Sequence, residues 1–546
     1  MSSYILTSHP KKHTIATKQN PSKIICERTI MADTYLNRRD FVKMMGLGAA
    51  SLIVPGCAAA ASQSRRKPNI VCILIDDMGW MDAGSYGSKY YETPNIDKLA
   101  KQGMLFADAY AANPLCSPTR ASILTGKYPA RLKITTPAGH LPKLPADRPL
   151  LAKHAQPWQK TITPISRRYL PLEEYTIAEA LKETGYKTGF VGKWHLGKDS
   201  IYWPDNQGFD VNIGGAGNPG PPSYHSPYRL NNLKDGPTGE YITDRLTAES
   251  IRFIESNRND PFLLFLWHFG VHGPWGHKEE ITKRYLNKKD PRGKQNNPIM
   301  ASMLKSIDES VGRVMDKLDE LKLCENTIVI FFSDNGGNTH SRIGPDELPP
   351  TNNYPLRGGK ATIYEGGTRE PLIVRWPGVV EPGSRCSEVI SSIDFYPTIL
   401  EMTGAKSKPG QTLDGESIIP LLKQSGKLKR KAIFCHFPHN TPATGNIAGT
   451  YVRCGNWKLI RFYHDGNAGE HRYELYDLND DISETNNLTA IYPEKVKQLD
   501  ALIDRHLKEI GALVPKPNPR YDPNARPAKK QPRTKKKNRP QRKNAG

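Results

Sequence analysis

The sequence predicts an α/β protein: a large, mainly parallel sheet sandwiched by helices, followed by a small antiparallel sheet with a covering helix. Three observations carry this. Asn69-Ile70-Val71-Cys72-Ile73-Leu74-Ile75 and Thr327-Ile328-Val329-Ile330-Phe331-Phe332 are unbroken apolar runs of strand length, as strands buried on both faces are. Between them lie segments with apolar spacing near 3.6: 96–103, 176–185, 243–257 and 300–323. Beyond residue 426 the pattern changes to short alternating runs, 432–437, 450–454, 457–463 and 473–477, then a helical stretch over 492–510. Further strands are expected at 187–191, 262–268 and 372–375. In such a sheet the site belongs at the carboxyl edge of the strands.

A chain of 546 residues can bury a full-sized core with smaller additions. No apolar run in its body reaches the ~20 residues that span a bilayer. The net charge of +22 suggests a nucleic-acid footprint until it is located: from Lys516 onward there are twelve Lys or Arg and one acid, Asp522. That Pro-rich segment has too little apolar surface to offset its ordering entropy, so 516–546 is expected to be a disordered basic tail. It is either an electrostatic tether to anionic glycans or a solvated tail without a specific partner, and no specific nucleic-acid partner is expected.

The N-terminal 1–67 read as an address and a linker. Asn37-Arg38-Arg39-Asp40-Phe41 precedes the short apolar stretch 44–54 and Gly56-Cys57-Ala58, which resembles a twin-arginine export signal. More than thirty residues precede the arginines, which points to Met31 as the true start. Val54-Pro55-Gly56-Cys57 also resembles a lipobox, so a lipid anchor at Cys57 and simple cleavage after the alanines are alternative fates. The expected location is periplasmic or at the cell surface. The catalytic domain is expected at 68–426 and a C-terminal α+β subdomain at 427–515. Eight cysteines are too few for a dense disulfide framework, and the spacing of Cys324, Cys386, Cys435 and Cys454 selects no pairs.

The first apolar strand ends in Asp76-Asp77 and the second in Ser333-Asp334-Asn335-Gly336. Paired acids and an Asp-Asn pair with few soft ligands nearby describe a hard-cation site, for which calcium fits better than zinc. Asn113-Pro114-Leu115-Cys116-Ser117-Pro118-Thr119-Arg120 puts a small nucleophile at the start of a helix with a guanidinium four residues on. That is what attack on a tetrahedral oxyanion needs.

Here the chain resembles the formylglycine-dependent sulfatases, which have an alkaline-phosphatase-like fold. Cys116-Ser117-Pro118-Thr119-Arg120 with Leu124-Thr125-Gly126 matches their Cys-x-Pro-x-Arg signature. The resemblance runs from about Pro68 to Asp477 and includes Gly192-Lys193-Trp194-His195-Leu196-Gly197, Asp334-Asn335-Gly336 and Leu356-Arg357-Gly358-Gly359-Lys360. It implies that a maturation enzyme oxidises Cys116 to formylglycine. One hydroxyl of the hydrated aldehyde then attacks sulfur, forming a sulfo-enzyme intermediate, and deprotonation of the other expels sulfate.

By the same resemblance, one Ca2+ would sit on Asp76, Asp77, Cys116, Asp334 and Asn335. Lys193 and Lys360 would bind sulfate oxygens, and Arg120 and His195 would hold the formylglycine. His272, following the strand at 262–268, is the candidate donor of a proton to the leaving alcohol. His268, Glu365 and Arg369 are expected to be structural and His277 a possible substrate contact. Lys127, where arginine is frequent in the family, is expected to remain a cation near the site. The Pro-rich segment 133–168, with His140 and His154, is either a substrate-facing insertion or a variable surface loop.

The function so implied is hydrolysis of a sulfate ester, with a sulfated carbohydrate favoured and aryl sulfates as surrogates. Competing readings are a phosphoester or phosphonate hydrolase on the same scaffold, and a catalytically silent glycan-binding protein.

Overall fold

The computed structural model describes residues 66–526. The export signal, Met31, Cys57 and the tail beyond Arg526 lie outside them. In chain order the strands are β1 (Asn69–Ile75), β2 (Met104–Tyr110), β3 (Thr161–Ile162), β4 (Lys187–Gly192), β5 (Val211–Ile213), β6 (Phe262–Trp267), β7 (Thr327–Ser333), β8 (Arg369–Arg375), β9 (Ser384–Cys386), β10 (Ile390–Ser391), β11 (Ala432–Phe437), β12 (Gly449–Cys454), β13 (Trp457–Phe462), β14 (Arg472–Asp477) and β15 (Lys516–Pro517).

Nine of them form one sheet in the order β10-β2-β8-β7-β1-β6-β4-β5, with β9 beside β2. Central β1 runs parallel to both β6 and β7. It is buried along its whole length, and this explains its unbroken apolar sequence: Ile70, Cys72 and Leu74 face one core while Val71, Ile73 and Ile75 face the other. The helices Pro94–Gln102, Ile242–Ser256 and Pro298–Glu320 cover one face. Cys116–Thr125, Ile177–Lys182 and Phe395–Thr403 cover the other. Only β8 runs against its neighbours β7 and β2. The strand at Met104–Tyr110 escapes the periodicity because Asp108 interrupts its apolar run; that acid is buried and pairs with Arg369 and Arg453.

The C-terminal meander β11-β12-β13-β14 is antiparallel. One face takes Leu499, Ile503 and Leu507 of the helix Pro493–Glu509. The other face, with Tyr451, Ile460 and Phe462, packs on Tyr110, Leu115 and Ile363 of the catalytic domain. A fully buried Lys458 locks this junction, with Nζ 2.8 Å from both Glu365 and Glu484. Glu365 also accepts a hydrogen bond from the Tyr110 hydroxyl at 2.6 Å, so Glu365 and Arg369 lie at the junction of the two layers.

The expected boundary at 516 is corrected in part. Lys516 and Pro517 pair with Ile162 and Thr161, and the Asn518 side chain donates to the carbonyls of Gln156 and Gln159. Composition misses this because the contact is made by backbone and one amide, not by apolar side chains. The six described cysteines are all unpaired.

Replacing Lys458 with Met leaves Glu365 and Glu484 buried without their cation. Chemical denaturation should show a loss of about 3–5 kcal/mol. The helix Pro493–Glu509 adds a pH dependence. His506 stacks on Phe434 with ring centroids 3.9 Å apart, and burial, assisted by His436 and Arg131, pushes its pKa down to about 3. Its folded pKa lies below the unfolded value, so its contribution is complete above pH ~6.5 and is lost as the pH falls toward 3. Between pH 7.5 and 5, His506→Phe should lose about 2 kcal/mol less stability than the parent.

Candidate active site

The acids arrive where the strand periodicity ends. Asp76 and Asp77 follow β1, Asp334 and Asn335 follow β7, and all four are buried. Beside them Cys116, 1% exposed, opens the ten-residue helix Cys116–Thr125. Arg120, one turn further on, has no exposed surface and is held from several sides. Its Nε donates to Asp334 Oδ2 at 2.8 Å and Nη1 to the Lys193 carbonyl at 2.5 Å, and it lies over the Trp267 ring. Nη2 is 2.7 Å from Asp334 Oδ2 and 3.8 Å from Asp76 Oδ1.

Lys193 leaves the end of β4, where its N–H donates to the Trp267 carbonyl at 2.8 Å. The preceding Gly192 permits this approach. It has φ +115°, and a Cβ there would stand 1.9 Å from the same carbonyl oxygen. Lys193 Nζ meets Asp76 Oδ2 at 2.5 Å and Lys360 Nζ meets Asp77 Oδ2 at 2.7 Å. The loop that carries Lys360 is tied to the loop before Cys116, with Ala361 N–H on the Pro114 carbonyl at 2.9 Å. His195 Nδ1 lies 3.5 Å from Cys116 Sγ. His272 Nδ1 is 2.8 Å from the Gly273 carbonyl, to which it donates, leaving Nε2 to face Asp77 at 3.9 Å.

The electrostatics follow from burial and neighbours. Burial opposes ionisation of Asp77, but Lys360, His272 and Lys193 overcome it and hold its carboxyl well below the usual range. Asp334 is pushed up to about 6 by burial and by Asp76, against Arg120 and Lys193. Asp76 is also raised, by burial first and by Asp77. Burial raises the Cys116 thiol. Burial, then Lys193, holds His195 well below its ordinary value, and burial with Lys360 and Lys193 lowers His272 to about 3.

The donor set fits a hard divalent cation. Asp76, Cys116 and Asp334 offer ligand atoms within 4.8 Å of one another, as do Asp76, Asp77 and His272. Asp76 Oδ1 and Asn335 Oδ1 are buried without a hydrogen-bond partner, which is costly for oxygens that nothing else satisfies. Three guanidinium or ammonium groups around a small nucleophile at a helix N-terminus suit a tetrahedral oxyanion.

Asp76, Asp77, Cys116, Arg120, Lys193, His195, His272, Asp334, Asn335 and Lys360 come together in one cluster, and His140 joins them. The exposed His140 places Nδ1 3.1 Å from His195 Nε2, so the 133–168 segment reaches the site. No spacing signal marks this contact, because it joins a loop to a loop. His268 is buried against Ser310, 3.1 Å from Nε2 to the hydroxyl. His277 pairs with Thr282 at 2.7 Å and lines an apolar pocket with Leu286, Ile299 and Ile343. Lys127 departs from expectation. It lies beyond the far end of the Cys116–Thr125 helix, ~15 Å along its axis from Cys116, and pairs with Glu174 at 2.6 Å.

A family model described as "Sulfatase" matches residues 68–405. The chain belongs to the sulfatase family. A second model, "N-sulphoglucosamine sulphohydrolase, C-terminal", matches residues 359–512. This sulfatase is 33% identical to a "Sulfatase" of Formosa agariphila, over 83% of this chain and 91% of that one. It is also 33% identical to N-acetylgalactosamine-6-sulfatase of Sus scrofa, over 74% and 75% of the two chains. Among solved structures it resembles Ps i-CgsB in complex with k-i-k-neocarrahexaose, with a TM-score of 0.65 and 28% identity, covering 81% of this chain and 92% of that one. The sulfatase is a sulfuric ester hydrolase.

Arg120→Lys tests the geometry. A lysine keeps the charge but cannot hold Asp334 and the Lys193 carbonyl together. Sulfate release should fall by at least ~100-fold and the melting temperature should drop as well, since a buried acid loses part of its pairing.

Proposed function

We propose that this sulfatase cleaves the sulfate ester of a sulfated carbohydrate outside the cytoplasm, using one Ca2+ and Cys116 oxidised to formylglycine. The observation that carries the reading is the buried convergence of Cys116, Asp76 and Asp334 at a helix N-terminus, ringed by Arg120, Lys193 and Lys360. A carbohydrate substrate is supported by the names of the relatives and by the oligosaccharide bound to Ps i-CgsB. Export is supported by the Arg38-Arg39 segment and its apolar run.

Asp76, Asp77, Asp334, Asn335 and residue 116 would hold the cation. When bound it supplies a Lewis acid that favours ionisation of a hydroxyl and draws charge from the sulfuryl oxygens. The Sγ of Cys116 marks where a hydroxyl of the formylglycine hydrate would stand. Arg120, clamped by Asp334 and the Lys193 carbonyl, fixes that end of the site. Lys193 and Lys360 reach the same space and balance the charge of the sulfuryl group. His195 Nδ1 faces residue 116 and is placed to take a proton from it. His272, its Nδ1–H spent on Gly273, has only Nε2 to present to the leaving oxygen.

The test pairs mass spectrometry of the Cys116 peptide, from a host with the maturation enzyme, with sulfate release from an aryl sulfate. An aldehyde at residue 116 is expected. Turnover should be lost on chelation, recover with Ca2+, and fall by ~1,000-fold or more in Cys116→Ala. Unmodified cysteine and no turnover in that host would overturn the reading.

A further inference from the structure

The contact between His140 and His195 has a directional consequence. The two rings lie 5.3 Å apart between centroids, inclined by 31°, with His140 Nδ1 3.1 Å from His195 Nε2. The other nitrogen of His195 is 3.5 Å from Cys116 Sγ. Both ring nitrogens of His195 are thus committed, one to residue 116 and one to His140. A neutral imidazole carries its proton on one nitrogen only. For Nδ1 to accept a proton from residue 116, Nε2 must carry the hydrogen and needs an acceptor. His140 Nδ1 stands where that acceptor has to be.

The backbone is built for this contact. His195 adopts φ 59°, a left-handed conformation uncommon for a side chain, and both its backbone groups are tied. Its N–H donates to the Ala216 carbonyl at 3.0 Å, and its carbonyl accepts from Ser117 Oγ at 2.8 Å. Gly139 lies directly against it: a Cβ at 139 would stand 1.9 Å from the His195 carbonyl oxygen, so a residue without a side chain is needed next to His140. Leu141 N–H closes a turn on the Ala138 carbonyl at 3.0 Å, and Arg168 Nη1 donates to the Pro142 carbonyl at 2.8 Å.

We propose that His140 is a positioning residue, whose Nδ1 fixes the tautomer and tilt of His195 and completes a relay from residue 116 through His195 to His140. The proposal rests on the roles given above to Cys116 and His195. When sulfate departs, its bond to the residue 116 oxygen's carbon breaks as the aldehyde C=O re-forms. The proton of the remaining hydroxyl passes to His195 Nδ1. His140 then shares the imidazolium's Nε2–H, as the third group of a nucleophile–base–orienter set does.

The experiment measures kcat and KM for an aryl sulfate in holoenzyme variants, each normalised to its aldehyde content at residue 116. His140→Leu should lower kcat by about 10- to 100-fold with little change in KM. His140→Asn, which can place an amide oxygen near the position of Nδ1, should restore most of the loss. In a His195→Ala background, adding His140→Leu should cost nothing further, because the residue acts only through His195. Unchanged kcat in His140→Leu, an Asn variant no better than Leu, a change in KM alone, or additive losses in the double variant would each overturn the proposal. Failure of the underlying reading looks different: no aldehyde in the parent enzyme, or a His195→Ala variant as active as the parent.

Discussion

Asp76, Asp77 and Asp334 emerge from two neighbouring parallel strands into a space closed to water, where an ionised carboxylate that loses its hydration costs several kcal/mol unless it is paired. This constraint explains the placement of the cations. Arg120 is one helical turn from Cys116, so the helix that opens with Cys116 also brings a guanidinium onto Asp334. β4 lies next to β6 and so brings Lys193 to Asp76, and the Pro114–Ala361 backbone bond draws Lys360 toward Asp77. Three acids and three cations give near charge balance. That balance keeps the cluster buried while leaving the ammonium groups close to the space where a sulfuryl group would react.

The pairing is uneven. Asp77 has Lys360, His272 and an amide hydrogen from Asn335 at 2.8 Å, and it is held ionised. Asp76 and Asp334 face each other as well as Arg120, and both are pushed toward the neutral form. Asp76, Asp77, Asp334 and Asn335 are the residues that would hold a divalent ion, whose charge would offset that repulsion and satisfy the unpartnered oxygens of Asp76 and Asn335. Lys193 would then be released from its ion pair to serve an anionic substrate.

What the sequence makes legible follows from which interactions are local. The continuous apolar runs of β1 and β7 locate the acids, because a strand buried on both faces can stop being apolar only where it reaches the site. The Cys116 segment is legible for a similar reason: the nucleophile, the helix start and the arginine lie within one turn. The strand at Met104–Tyr110, broken by a buried acid whose arginines are far along the chain, gives no such pattern. Lys127, expected near the site from the family resemblance, is carried away from Cys116 by a straight helix and pairs with Glu174 instead. His140 and the ordered start of the basic tail depend on loop-to-loop contacts, which neither periodicity nor composition records.

Those long-range contacts belong to a single arrangement. The 133–168 segment, whose His140 touches His195, is stapled to the C-terminal part of the chain along its length. Lys133 reaches the Gly511 carbonyl, Thr135 Oγ1 pairs with His439 at 2.8 Å, and β3 pairs with β15. The meander is itself fixed to the sheet by Lys458, Glu365 and Glu484. The position of the rim over His195 is therefore set by the C-terminal subdomain as well as by the strands beneath it. With the proposed chemistry at the sheet edge, the 133–168 segment and the C-terminal layer together would shape the approach to it. Substrate choice can then change through those outer segments while the buried charges stay as they are.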